Sequence, residues 1–101
     1  MGLKVTSQVY TNKGLTNEMY LNIQKISIDK NERNLVIINQ YLNKDDRDEN
    51  EYNICNSFDI PSIMMLDLNV VSLSTNYVYV LVYTKIKEVL TEKGLVVEDL
   101  I

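Results

Sequence analysis

Hydrophobic positions in the first third of the chain alternate with polar ones, the period-two pattern of strands that bury one face. Leu3, Val5 and Val9 fall on one side, opposite Lys4, Thr6 and Gln8. Thr11-Asn12-Lys13-Gly14 is a cluster of turn-forming residues and closes this run. Beyond it Met19, Leu21 and Ile23 share a face, whereas Ile26 and Ile28 lie on the other. A slip of one position predicts a β-bulge near Gln24-Lys25, or a strand that changes its buried side. Asp29-Lys30-Asn31-Glu32 fits a hairpin turn, and Leu35-Val36-Ile37-Ile38 a strand buried on both faces. The most regular alternation comes later. Tyr52, Ile54, Phe58 and Ile60 face one way, against Glu51, Asn53, Cys55, Ser57 and Asp59, and only Asn56 breaks the apolar side. Pro61 has no N–H for a ladder and ends the predicted strand.

Residues 62–73 fit either a helical turn, through Ile63-Met64-Met65-Leu66, or a fifth strand. After Asn76 the period changes. Val78, Leu81, Val82, Lys85, Ile86 and Val89 follow i, i+3, i+4 spacing, which predicts a helix from Tyr77 to Leu90. Ser74, Thr75 or Asn76 would cap it and Gly94 would stop it. Against this stands the β propensity of Tyr77-Val78-Tyr79-Val80. The expected fold is mainly β with one C-terminal helix, of α+β class: a small antiparallel β-sandwich or sheet with a packed helix. A length of 101 residues makes it one domain.

Charge narrows the function. Ten basic residues are scattered among fourteen acidic ones, for a net charge of −4, so no basic face for nucleic acid is expected. No apolar run reaches the roughly 18 residues of a membrane span, and Met1-Gly2-Leu3-Lys4-Val5 lacks the apolar stretch of a signal peptide. A single cysteine, Cys55, rules out an internal disulfide and makes a reducing compartment the default.

Catalytic chemistry finds little to use. There is no histidine, the usual base for a serine or cysteine nucleophile. Cys55 has no cationic neighbour in sequence to lower its pKa. Asp46-x-Asp48-x-Asn50 imitates the start of a calcium loop, but Glu51 stands where that loop needs Gly and Ser57 where it needs a bidentate Glu. No cofactor, metal or small-molecule substrate is expected, and the polar run Asn43–Asn50 reads as a solvated loop between two strands. Contact with other proteins is the remaining class. Its candidate residues are Asp45, Asp46, Arg47, Asp48 and Glu49 on that loop, and Tyr77, Tyr79 and Tyr83 on the helix. Seven of the chain's aromatic residues are Tyr, which joins a large contact area to a polar tip. The tyrosines in the predicted strands, Tyr20, Tyr41 and Tyr52, are expected half-buried in the sheet. One helix face cannot bury Tyr77, Tyr79 and Tyr83 together with Val80, Leu81 and Ile86.

The order of elements carries a resemblance. A strand Met19-Tyr20-Leu21-Asn22-Ile23 precedes Asn39-Gln40-Tyr41-Leu42, a charged loop, Tyr52-Asn53-Ile54, and a helix containing Tyr83-Thr84-Lys85-Ile86-Lys87. This resembles the small virion proteins of tailed bacteriophages found in the head–tail connector and tail. Tyr41 followed by Arg47 fits their Y-x-x-x-x-x-R loop. The A-Y-x-x-L-K helix is matched with Val82 in place of Ala and Ile86 in place of Leu, and residues 61–75 are longer than the family's connection. Twelve asparagines, ten isoleucines and no alanine suit an AT-rich genome such as those of large gut phages, including the crAss-like group. The resemblance implies a ring or collar subunit of the virion, assembled from copies of itself and other virion proteins, with no enzymatic activity. The competing expectation is a small regulatory protein that inhibits a host protein through its acidic loop.

Overall fold

The computed structural model of the chain describes residues 2–27, 34–66 and 75–100, with 75–77 described by backbone alone. Its strands are β1 (Gly2–Val5), β2 (Val9–Thr11), β3 (Gly14–Thr16), β4 (Met19–Ser27), β5 (Asn34–Tyr41), β6 (Ile63–Leu66) and β7 (Val97–Leu100). Its helices are α1 (Lys44–Glu49) and α2 (Thr75–Glu92). Five strands form one antiparallel sheet in the order β6-β5-β4-β1-β7, and β2-β3 is a separate hairpin. This is a mainly β, α+β fold: an antiparallel sheet with a packed helix.

The alternation of the first third translates into burial. Leu3, Val5 and Val9 all reach the core, and the chain turns at Thr11–Gly14, with Gly14 at φ +123°. The phase slip in β4 is a bulge: Ile23 pairs with Ile38 and Lys25 with Ile37, leaving Gln24 as the extra residue. The insertion returns Ile26 to the side of the core and leaves Gln24 and Lys25 both exposed. The predicted turn at Asp29–Glu32 lies outside the described residues. In β5, Val36 and Ile38 are buried while Leu35 and Ile37 are only half-buried. That strand is therefore not buried on both faces, because only one face of the sheet lies against α2.

Helix α2 supplies the second layer. Val78, Val82, Ile86 and Leu90 recur every fourth residue and join Leu3, Val5, Leu21, Val36 and Ile38 in one core. The stop at Gly94 is as expected. With φ +89° there, the Gly94 N–H donates to the Thr91 carbonyl (3.0 Å) and the Leu95 N–H to the Leu90 carbonyl (3.1 Å). This six-to-one bond closes the helix end with Leu95 folded back on the core. Of the proposed caps, Thr75 and Asn76 lie inside the helix, and Ser74 lies outside the described residues.

Two further expectations need correction. Residues 51–62 do not form the regular strand that Tyr52, Ile54, Phe58 and Ile60 suggested. Ile60 is buried, but Ile54 is 39% exposed, Tyr52 80% and Phe58 91%, and Cys55 points inward. The segment is held instead by polar contacts to Gln40, which is fully buried. The Cys55 N–H donates to the Gln40 carbonyl (2.8 Å), and the Gln40 amide donates to the Ile60 carbonyl (2.8 Å). The Ser57 hydroxyl donates to Gln40 Oε1 (2.6 Å). Second, Asn43–Asn50 contains a helical turn, not a bare loop. Helix α2 is followed by β7, which pairs with β1 from Gly2↔Leu100 to Val5↔Val97. Of the ambiguous stretch, Ile63–Leu66 is strand, and 67–73 lie outside the described residues.

Candidate functional site

Helix α1 forms because Asn43 caps it: Asn43 Oδ1 accepts the Asp46 N–H at 2.8 Å, and Asp45 and Asp46 occupy the first turn, where the helix dipole favours negative charge. Lys44 and Asp48, four residues apart, pair at 2.8 Å, and Arg47 reaches Asp48 at 3.4 Å. The hydrogen bond from Lys44 holds the Asp48 carboxyl below its usual range, and the same bond raises Lys44. On α1 the Asp48 side chain, two residues on, faces away from Asp46, and Asn50 is the extended C-cap, so the three are not arranged around an ion as in a calcium loop. Asp45, Arg47, Asp48 and Glu49 remain exposed at the surface; Asp46 is half-buried.

The helix tyrosines divide. Tyr83 is 8% exposed, and its hydroxyl accepts the Ile23 N–H at 3.0 Å, beyond Leu21, where the pairing of β4 with β1 ends. Burial pushes the Tyr83 phenol up. Its place in the core removes it from the contact candidates. Tyr79 is half-buried against the core, and the Tyr77 side chain lies outside the described residues. Of the strand tyrosines, Tyr20 and Tyr41 are buried as a tilted pair with ring centroids 6.1 Å apart, while Tyr52 is exposed. Cys55 is 1% exposed and burial raises its pKa, the opposite of a reactive thiolate.

The large apolar groups that do meet solvent were not candidates from sequence. Tyr10 on β2 and Leu15 on β3 are directly opposed in the hairpin and are 63% and 46% exposed. Thr11 pairs with Ser57, and the Asn12 N–H donates to the Asn56 carbonyl (2.9 Å), so the register brings Phe58 beside Tyr10. Leu15, Tyr10 and Phe58 thus line up across three adjacent chain segments. The signal in the sequence was Asn56, the break in the alternation that Phe58 follows. A second patch lies on edge strand β6. Ile63 and Met65 are 58% and 57% exposed and pair with half-buried Ile37 and Leu35. Scattered exposed apolar residues are ordinary, but rows of them mark contact surfaces.

Among the described residues no helix is long and apolar enough to cross a membrane. No family model, curated protein or solved structure matches the chain.

Proposed function

We propose that the chain is a structural subunit of a tailed-phage particle, of the head–tail connector or tail-ring kind, that assembles with copies of itself. The row Leu15-Tyr10-Phe58 carries the reading. A residue as large as Phe58, 91% exposed beside Tyr10, loses apolar surface to water only when another chain covers it. The row and the β6 patch are different surfaces on different sheets, which suits head-to-tail contact, where one patch meets the other on the next copy and the series closes as a ring. The motifs Tyr41…Arg47 and Tyr83-Thr84-Lys85-Ile86-Lys87 supply the phage context. The inhibitor reading is weaker, because Lys44 and Arg47 pair with Asp48 within α1 and dilute the acidic face a basic cleft would need.

Sedimentation velocity with electron microscopy of the purified chain tests the assembly. One closed oligomer of fixed size is expected, and a monomer at every concentration would overturn it. Mass spectrometry of purified phage particles tests the location, for which absence of the chain would be decisive.

A further inference from the structure

The face of β4 and β5 turned away from α2 carries a cleft of about 370 Å3, within the roughly 300–1,000 Å3 of small-molecule sites. Its floor is polar. Asn22 and Asn39 are directly opposed across the two strands, and the bulge adds Gln24 beside them. Its wall is Arg47 from α1, with Glu51 and Tyr52 from the segment that follows. The wall is fixed before any ligand arrives. The Tyr41 hydroxyl donates to the Glu51 carbonyl (2.8 Å), the Asn53 side-chain amide to the Asp46 carbonyl (3.0 Å), and the Tyr52 N–H to Asn50 Oδ1 (2.9 Å). On the floor, Asn22 Oδ1 is closed off from solvent and has no hydrogen-bond partner among the described residues. The amides open to the cleft are those of Gln24, which is exposed, and Asn39, which is half-buried.

The chemistry of these groups narrows the ligand. An apolar molecule would cover the Gln24 and Asn39 amides without replacing their hydrogen bonds to water. A phosphate would meet Glu51 at the rim, and the Arg47 guanidinium is already engaged by Asp48 at 3.4 Å. A peptide adding as a strand would need a free sheet edge, whereas this cleft opens on the face of the sheet. What remains is a neutral ligand with many hydroxyls. Hydroxyls donate and accept, as the amides of Gln24 and Asn39 do, and Arg47 and Glu51 bring one charge of each sign. The Tyr52 ring, 80% exposed, offers an apolar face to the C–H side of a sugar. We infer that this cleft binds a neutral saccharide, without turnover. The inference does not depend on the ring assembly.

Saturation-transfer difference NMR on the whole chain reads this at any oligomer size, with chitotriose, cellotriose and mannotriose as probes. At least one trisaccharide should give a saturable signal, strongest on protons of one ring face. Tyr52→Ala and Gln24→Ala change exposed side chains, so both variants should keep the wild-type melting temperature. Each should weaken binding roughly tenfold, which corresponds to about 1.4 kcal/mol. No saturable signal from any probe would overturn the proposal. So would a signal that both variants leave unchanged, or one that inorganic phosphate displaces.

Discussion

Gln40 organises the middle of the chain although nothing in its sequence neighbourhood marks it out. Its buried amide meets the Ile60 carbonyl and the Ser57 hydroxyl, and this polar anchor, not apolar alternation, decides which side chains of 51–62 turn inward. Gln40→Leu should therefore lower stability by about 1–3 kcal/mol, the loss from unpaired buried groups, read as a shift of the urea midpoint. The alternation of Tyr52, Ile54, Phe58 and Ile60 instead suggests that an Asp at Phe58 would unfold the domain. At 91% exposure Phe58→Asp should change stability by no more than about 0.5 kcal/mol, whereas Ile60→Asp, at 1%, should abolish cooperative unfolding. Period two was legible here, but it cannot show that a strand has lost its partner, and Asn56 was the one residue that hinted at it. Tyr83 illustrates the same limit. A tyrosine on a helix looks the same in sequence whether its hydroxyl meets a partner chain or the Ile23 N–H. Burial raises the Tyr83 and Tyr41 phenols above 10.0, so the folded chain holds these protons more tightly than the unfolded one. Their contribution is complete below that pH and is lost as pH rises through the folded values. Urea midpoints should fall with pH above about 10, and Tyr83→Phe should flatten the fall.

Among the elements, those with a strong local signature were the ones the sequence revealed. Helix α2 was readable from its spacing and from Gly94, and the bulge in β4 from the phase slip between Ile23 and Ile26. Gly94→Ala should cost about 1–2 kcal/mol, because φ +89° crowds a Cβ, and at roughly 4–8 °C per kcal/mol the melting temperature should drop measurably. Helix α1 was missed because acidic residues are poor evidence for a helix when their cap is not weighed. Asn43 accepting the Asp46 N–H is what converts the run Lys44–Glu49 from loop to helix. Asn43→Ala should cost about 1 kcal/mol, seen as a lower unfolding midpoint, while Asp45→Ser should do far less. Strand β7 was missed for a different reason. Its four residues, Val97-Glu98-Asp99-Leu100, become a strand through pairing with β1, a contact between the two ends of the chain that no local pattern encodes.

For the whole molecule, the open question is which surface meets which. If identical copies join head to tail, the Leu15-Tyr10-Phe58 row of one meets the Ile63-Met65 patch of the next, and each copy carries both halves of the contact. Phe58→Asp then spoils one half and Met65→Asp the other. Both side chains are more than half exposed, so both variants should fold. A charge driven into an apolar contact is expensive to desolvate, so each variant alone should sediment as a monomer. Mixed, the two should form a heterodimer and stop there, because the intact patch of the Phe58→Asp copy fits the intact row of the Met65→Asp copy and no further contact is left. An isologous contact of row against row behaves differently: Met65→Asp would keep the wild-type size and the mixture would yield no heterodimer. Sedimentation of the two variants, separate and mixed, distinguishes these cases. Melting gives an independent check, since a chain stabilised by its neighbours melts higher as its concentration rises. That dependence should be present in the wild type and absent from Phe58→Asp; a wild-type melting temperature independent of concentration would count against self-assembly altogether.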